Sequence, residues 1–248
     1  MSGHATDWKP LWLADLVRFG VEMIVWAGSL VPAGVVFVLL WSTGDTVWRM
    51  AAFPAAFGGF LLGFLMTLFL LEILLLRRVT PGRYVLTDPG ARRWLVADSF
   101  MRMYRRHFLH RLVDDLAPLR YVFYRLAGAD VDASFFLGWD ARMLDAWGLK
   151  VGRNVIIGSF AVISCHLVEG DELRLAPVEI ADGATIGVRS TILPGVTVGE
   201  GAIVGAGALV LEDTHIKANE VWVGVPARKV GMAGETAEAA ALCDGARQ

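Results

Sequence analysis

The C-terminal part of the chain is organised by an aliphatic residue that returns every six positions. These aliphatics are Val151, Ile157 and Ile163, followed by Ile180, Ile186, Ile192, Val198, Val204, Val210 and Ile216. A spacing of six is neither the 3.6-residue period of a helix nor the alternation of one long strand. It is an internal repeat, in which each unit buries its apolar side against the next.

Small residues accompany the aliphatic residues throughout this repeat. Glycine often follows directly, at Gly152, Gly158, Gly187, Gly199 and Gly205. Another compact residue comes four positions after the aliphatic, at Ala184, Ser190, Val196, Ala202 and Ala208. We predict short extended segments joined by tight turns, six residues to a face, which close a three-sided coil around a narrow core.

One segment, "HLVEGDELRLAP" (residues 166–177), breaks the rhythm. The step from Ile163 to Ile180 is 17 residues, where 18 would keep the register. We therefore predict a loop that leaves the coil, with His166 at its base.

Imidazole, with a pKa near 6.5, suits a general base at neutral pH, because it can take the proton of an attacking hydroxyl or amine. Cys165 precedes His166, but adjacent residues of an extended chain point to opposite sides, so we predict no Cys–His nucleophile pair. Glu169 could orient the imidazole or steady an ammonium acceptor. Asp145 lies in an earlier break of the repeat, "WDARMLDAWG".

The segments "IGVRSTILPGVTVGEGAIVGAGALV" and "GVPARKV" resemble the last coils of hexapeptide-repeat, left-handed β-helix acyltransferases, and the resemblance covers about residues 131–230. The segments "GADVDASFFLG", "GLKVGRNVIIG" and "HLVEGDELRLAPVEIADGATIG" are more specifically similar to the C-terminal modules of poly-lysine-synthetase-type nonribosomal peptide synthetases. Those modules alternate membrane helices with hexapeptide-repeat domains.

The resemblance implies a catalytic site and a donor site. It implies a catalytic role for His166, with Glu169 and Asp145 as further candidates. It also implies that the donor contacts Gly205, Ala206, Gly207, Ala208, Arg228 and Lys229. Coenzyme-A-using relatives carry a Thr-Lys pair after this turn, where the present chain has Leu211 and Glu212. A carboxylate there would repel a nucleotide phosphate, which favours a thioester carried by a protein, although Arg228 and Lys229 could suffice for coenzyme A.

The N-terminal part is too apolar for an ordinary soluble domain. The whole chain is 55% hydrophobic with a mean hydropathy of +0.52, and typical soluble domains are about 45–50% apolar. Residues 23–41 and 50–71 carry no charged side chain, and each run is long enough to span a bilayer. We predict a membrane anchor over residues 1–78, with transmembrane helices at about 21–42 and 49–76.

A basic block follows the anchor, with 11 arginines and 4 aspartates between residues 77 and 125. Basic residues beside a spanning helix favour anionic lipid headgroups and a cytoplasmic location. We predict a membrane-proximal helical linker over residues 79–128, in a protein of the bacterial inner membrane whose catalytic domain is cytoplasmic. Nucleic-acid binding is not expected of a block held at the bilayer. His107 and His110 lack a visible third metal ligand.

The fold prediction is thus a two-helix transmembrane hairpin joined by membrane-proximal helices to a left-handed parallel β-helix over residues 129–231, with a tail at 232–248. The functional prediction is a homotrimeric, membrane-anchored acyltransferase that needs no metal and no tightly bound cofactor. Its donor would be an acyl-CoA or a phosphopantetheinyl carrier protein. The resemblance to peptide synthetases makes a carrier protein or peptide synthetase a predicted partner. An acetyl-CoA-dependent O-acetyltransferase of a glycan or small molecule, and a non-catalytic trimerising scaffold, remain the alternatives.

Overall fold

The helices come first along the chain and the coil follows. The structure, a computed structural model, describes residues 12–43, 45–74, 79–106 and 109–234. His107 and the tail beyond residue 234 therefore lie outside the described residues. The helices are α1 (Trp12–Ser42), α2 (Thr46–Leu74), α3 (Pro89–Arg106), α4 (Leu109–Asp115) and α5 (Ala117–Leu126).

Helices α1 and α2 form a hairpin whose close approach depends on glycine. A β-carbon built on Gly63 would lie 2.4 Å from the carbonyl oxygen of Gly28, and one built on Gly28 would lie 2.0 Å from Oγ1 of Thr67. A β-carbon on Gly59 would lie 3.4 Å from α1, whereas one on Gly58 would meet open space. The small residues of α2 thus pack α2 onto α1 of the same chain.

The outer surface of this hairpin is apolar. Phe19–Ser42 and Thr46–Thr67 have mean hydropathies of 2.3 and 1.7, and 11% and 22% of their most apolar stretches are buried. By length and composition, both helices can cross a membrane.

Aromatic side chains join this hairpin to the helices below it. Phe123 of α5 is fully buried and stacks on Tyr104 of α3, with ring centroids 3.8 Å apart. Phe64 of α2 and Phe100 of α3 lie 6.4 and 6.3 Å from the same Phe123 ring. The hairpin therefore shares one apolar cluster with the linker helices and the first coils.

The remaining chain is built from short strands. In chain order these are β1 (Gly82–Val85), β2 (Asp130–Val131), β3 (Phe136–Leu137), β4 (Arg142–Met143), β5 (Leu149–Val151), β6 (Ile156–Ile157), β7 (Val162–Ile163), β8 (His166–Glu169), β9 (Glu172–Leu175), β10 (Val178–Ile180), β11 (Thr185–Ile186), β12 (Thr191–Ile192), β13 (Thr197–Val198), β14 (Ile203–Val204), β15 (Leu209–Val210), β16 (His215–Ile216), β17 (Glu220–Val223) and β18 (Arg228–Met232).

These strands form three parallel faces, as the six-residue spacing predicted. The first face is β2-β5-β10-β13-β16, the second is β3-β6-β11-β14-β17 and the third is β4-β7-β12-β15. Strand β18 pairs antiparallel with β17 and ends the second face. The aliphatic residues point inward, and companions such as Ala184, Ser190 and Ala202 are fully buried beside them.

The interruption advances the chain by one face of the coil rather than by a whole coil. Ile180 pairs with Val151 on the first face, whereas Ile163 lies on the third face and pairs with Ile192. The chain takes 17 residues from Ile163 to Ile180 where one face step needs six, so eleven are extra. They form the antiparallel hairpin β8–β9, so the predicted excursion exists but does not span a whole coil.

The β8–β9 hairpin is not isolated from the rest of the chain. Strand β1 pairs antiparallel with β9, which gives the order β1-β9-β8. Since β1 lies between α2 and α3, the segment that follows the apolar hairpin becomes part of the sheet that carries His166.

A buried polar cluster stabilises the linker helices. The Tyr104 hydroxyl donates a hydrogen bond to Oδ1 of Asp114, 2.8 Å away. The Arg120 guanidinium donates to the Asp114 carbonyl at 2.7 Å. Burial raises the pKa of Asp114 to about 6, although the bond from Tyr104 opposes that shift. The folded protein thus retains a proton on Asp114 at pH values where the unfolded chain has lost it.

Asp114 should therefore make the folded state less stable as the pH rises. Its raised pKa contributes stability that is present below its ordinary pKa, near 4, and is lost as the pH rises through about 6. From pH 7 to pH 5 we expect the free energy of unfolding to gain about 1 kcal/mol from this group. Asp114→Asn keeps an acceptor for Tyr104 and should abolish the gain. Denaturant unfolding at both pH values measures it. The exposed neighbour Asp115→Asn is the control, and an equal pH response in both variants would contradict the prediction.

Candidate active site

Two lengthened turns leave the same edge of the coil and create the site. Between Met143 of β4 and Leu149 of β5, the extra residues form a 3₁₀ turn at Ala146–Gly148, directly after Asp145. One coil further on, the hairpin β8–β9 begins after β7, on the same edge between the third and first faces. Since the two turns are stacked, Asp145 and His166 meet although they are 21 residues apart.

The Asp145 carboxylate is buried, with 1% of its side chain exposed, and receives several hydrogen bonds. Its Oδ2 lies 2.5 Å from Nδ1 of His166 and accepts the backbone N–H of Cys165 at 2.9 Å. The Ser164 hydroxyl donates to the backbone carbonyl of His166 at 2.8 Å and lies 3.5 Å from Oδ2. The Trp94 indole N–H donates to Oδ1 at 3.1 Å. Asp145 is thus held in one orientation against the imidazole.

His166 is the first residue of β8, and 15% of its side chain is exposed. Because a carboxylate only accepts hydrogen bonds, the contact with Asp145 assigns the ring proton to Nδ1. Nε2 then keeps its lone pair and can accept a proton from a reacting group. The Trp94 ring packs beside the imidazole, with centroids 4.8 Å apart and planes at 53°.

Cys165 takes no part in nucleophilic chemistry in this geometry. It is fully buried, with its thiol turned into the coil. Burial is the largest cause that raises the pKa of the thiol well above its usual value, and the nearby Asp145 charge adds to it. The thiol therefore stays protonated.

Glu169 lies at the opposite end of β8 from His166. Among the described residues, no hydrogen bond or ion pair joins it to His166. It lines a small cavity of about 90 Å³ between the hairpin and the coil. The lining residues are Arg83, Leu167, Glu169, Glu172, Arg174 and Glu212. Glu169 therefore does not orient the imidazole in this structure, and its role beside an acceptor stays a prediction.

Glu212 is not a free carboxylate. The Arg174 guanidinium of β9 forms ion pairs with both Glu212 and Asp213. The Arg174 side chain is only 16% exposed, and its hydrogen bond lowers the pKa of Asp213. One guanidinium thus faces two carboxylates, so Arg174 offsets only part of the negative charge of Glu212 and Asp213, and the repulsion of a nucleotide phosphate stays a prediction.

The predicted donor turn lies on a different edge of the coil, between β14 of the second face and β15 of the third. The N–H groups of Gly205, Gly207 and Ala208 bond to other carbonyls of the coil. Ala206 is exposed, and a β-carbon built on Gly207 would meet nothing within 4 Å. The edge is therefore open to a ligand at Ala206 and Gly207.

The two predicted phosphate-binding residues differ in availability. The Lys229 ammonium forms an ion pair with Glu220 at 3.0 Å, and Glu220 also accepts the Trp222 indole N–H. Arg228 is exposed and donates to its neighbouring carbonyl at Ala227. Arg228 is thus the more accessible cation of the pair.

The structure brings together Asp145 and His166 and leaves the donor turn apart from them in the single chain. Sequence reasoning missed Trp94 and Ser164, which contact the pair. Trp94 falls in the basic linker, where it carried no repeat or motif signal, whereas Ser164 lies two residues before His166. Within the described ranges, no group of three His, Cys, Asp or Glu residues is placed to hold a metal ion.

The coil matches a known repeat family. Residues 177–212 match the sequence model of the family described as "Bacterial transferase hexapeptide (six repeats)". The resemblance to the hexapeptide-repeat acyltransferases is therefore confirmed. The closer likeness to peptide-synthetase modules stays a prediction.

Similar proteins are named as acetyltransferases. The chain is 29% identical over 107 residues to galactoside O-acetyltransferase of Escherichia coli, a match that covers 40% of this chain and 52% of that protein. It is 40% identical over 84 residues to a 2,3,4,5-tetrahydropyridine-2,6-dicarboxylate N-acetyltransferase of Staphylococcus aureus, covering 34% and 33%. The chain thus spans about half or less of these relatives' length.

Solved structures with similar coils include a galactoside acetyltransferase in complex with coenzyme A. That alignment covers 64% of this chain and 90% of the other, at 20% identity and a TM-score of 0.45. A maltose O-acetyltransferase from Clostridium difficile aligns over 62% and 94%, at 21% identity and a TM-score of 0.45.

Proposed function

We propose that this protein is an acyltransferase that moves an acyl or aminoacyl group from a thioester to an amine or hydroxyl acceptor. The observation that carries the proposal is the contact between His166 and the buried Asp145 carboxylate, at the base of a hairpin that leaves the coil. The hexapeptide-repeat match and the relatives named as acetyltransferases support the same class of reaction.

The proposed reaction is direct attack on the bound thioester. The acceptor nitrogen or oxygen forms a bond to the thioester carbonyl carbon while Nε2 of His166 takes its proton. The tetrahedral adduct then breaks the carbon–sulfur bond, and the imidazolium returns the proton to the leaving thiolate. Asp145 keeps Nδ1 protonated and stabilises the imidazolium that forms between the two steps.

Coenzyme A and a carrier-bound thioester both remain candidate donors. The partial offset of the Glu212 charge by Arg174 and the exposed Arg228 support a coenzyme A site near the open turn. An acyl-CoA is therefore the first donor to test, with O-acetyl transfer to a glycan or small molecule among the possible outcomes. A carrier protein of a peptide synthetase is the second. On the acceptor side, we propose that Glu169 steadies an ammonium group.

Substitution of the pair should abolish most transfer. We expect His166→Gln to lower the rate of acyl transfer by about 10²–10⁴-fold, the usual contribution of a general base. Asp145→Asn should lower it at least about tenfold, because an amide does not hold the ring proton on Nδ1 in the same way. The assay incubates purified protein with acetyl-CoA, or separately with an aminoacyl-carrier thioester, and detects products by mass spectrometry. His215→Gln, on the outer surface, is the matched control. Near-normal transfer by His166→Gln would contradict the proposal.

We further propose a homotrimer in which neighbouring chains complete each site. The His166 hairpin and the donor turn lie on different edges and in different coils of one chain. A neighbour's donor-turn edge, packed against the hairpin edge, would bring both parts into one cleft. Closed cyclic symmetry would then repeat this cleft three times.

Complementation distinguishes shared sites from sites within one chain. Ala206→Trp should block the open donor turn, so that variant and His166→Gln should each be inactive alone. Coexpressed, they should recover about a quarter of wild-type activity, because half of the hairpins and half of the donor turns are intact and assemble at random. Transfer assays on the purified mixture, with mass measurement in detergent, test this. A mixture as inactive as either variant, or an active monomer, would exclude shared sites.

We also propose that α1 and α2 anchor the protein in the bacterial inner membrane. Their outward faces carry many exposed apolar side chains, including Phe19, Ile24, Val38 and Leu62. The arginines of α3 and α4 that follow favour a cytoplasmic coil and contact with anionic lipids.

Cysteine labelling tests this orientation. In a variant whose Cys243 is replaced by Ser, Thr43→Cys places a thiol in the α1–α2 turn. We expect a membrane-impermeant maleimide to label it from outside spheroplasts. Asp171→Cys, at the exposed hairpin tip, should label only after the membrane is permeabilised. The reverse pattern, or equal labelling of both, would rule out the proposed orientation.

A further inference from the structure

We propose that Trp94 of the linker helix α3 is a positioning residue for the Asp145–His166 pair, an inference that rests on the proposed transfer reaction. Trp94 lies 51 residues before Asp145 and outside the repeat. It nevertheless contacts both members of the pair, through its indole N–H and through its ring.

The two oxygens of the Asp145 carboxylate accept hydrogen bonds from different parts of the chain. Oδ2 accepts from the hairpin side, namely from Nδ1 of His166 and the backbone N–H of Cys165. In the described part of the chain, Trp94 is the side chain that donates to Oδ1. Without that donor, a buried carboxylate oxygen would lose its partner, and the carboxylate would gain freedom to rotate away from Nδ1.

The Trp94 ring restricts the imidazole from a second direction. Its centroid lies 4.8 Å from that of His166, and Trp94 is 95% buried. A ring fixed at this distance limits the side-chain rotations open to His166. It therefore helps to keep Nε2 directed toward the space where an acceptor would react.

Trp94 itself is fixed by elements on both sides. It packs in a cluster with Val79 and Ala97 and with Leu173 and Leu175 of β9. Further along α3, Phe100 and Met101 belong to the apolar cluster that includes Val21 and Val25 of α1. The linker helix thus connects the N-terminal hairpin to the Asp145–His166 pair. The coil alone lacks Trp94, which is one of the groups that orient this pair.

Trp94→Phe removes the N–H and keeps most of the ring. We expect kcat to fall about 10- to 100-fold, as for a lost hydrogen bond to a charged group. KM for the thioester donor should change less than about twofold, because Trp94 does not contact the donor turn. Trp139→Phe is the control. Trp139 is exposed on the coil and packs edge-on against Phe160, and among the described residues no contact joins it to Asp145 or His166, so this variant should keep its rate.

A double-mutant cycle separates positioning from simple packing. Because Trp94 acts through Asp145, Trp94→Phe should lower kcat less than about twofold in an Asp145→Asn background. A full additive loss in that background would overturn the proposal, and so would an unchanged kcat in Trp94→Phe alone.

Nuclear magnetic resonance of ¹⁵N-histidine-labelled protein provides a readout that needs no transfer. The Nδ1–H signal of His166, assigned by its loss in His166→Gln, should be present in the wild type and in Trp139→Phe. In Trp94→Phe it should broaden or shift, and an unchanged signal would overturn the proposal. If even the wild type transfers no acyl group, the proposed function fails while this spectrum still decides the role of Trp94.

Discussion

The arrangement of the site depends on one buried carboxylate, that of Asp145. A buried charge costs several kcal/mol unless it is hydrogen-bonded, so its partners must be in place when the protein folds. They come from α3, from the short segment between β7 and the hairpin, and from the first residue of the hairpin. The requirement to satisfy Asp145 therefore positions three parts of the chain, and the orientation of His166 follows from it.

The coil makes such an arrangement possible because it is rigid and its edges are free. Its interior admits one aliphatic and one small side chain per step, so extra residues can leave only at the turns. Both excursions use the edge between the third and first faces, in successive coils. Parallel strands about 4.8 Å apart then bring the two excursions within reach of each other.

The sequence contains the spacing that places Asp145 beside the start of the hairpin, but this spacing can be read only once the pairing of the strands is known. Met143 pairs with Ile163 in the next coil. Asp145 stands two residues after Met143, and Cys165 stands two residues after Ile163. The spacing did not reveal that Ile180 pairs with Val151, because an insertion of arbitrary length does not preserve the repeat count. The ion pair of Glu212 was also hidden in the sequence, since its partner, Arg174, comes from a strand whose path the spacing does not reveal.

The sequence by itself determined the coil, the two apolar helices and the candidacy of His166, because each depends on local periodicity, hydropathy or residue type. Only the tertiary structure decided that β1 extends the hairpin sheet and that Trp94 reaches Asp145. Those contacts join segments separated by tens of residues, with no shared period to relate them. They depend on where α3 packs between the helical hairpin and the coil, which is set by the shape of buried side chains rather than by their order along the chain.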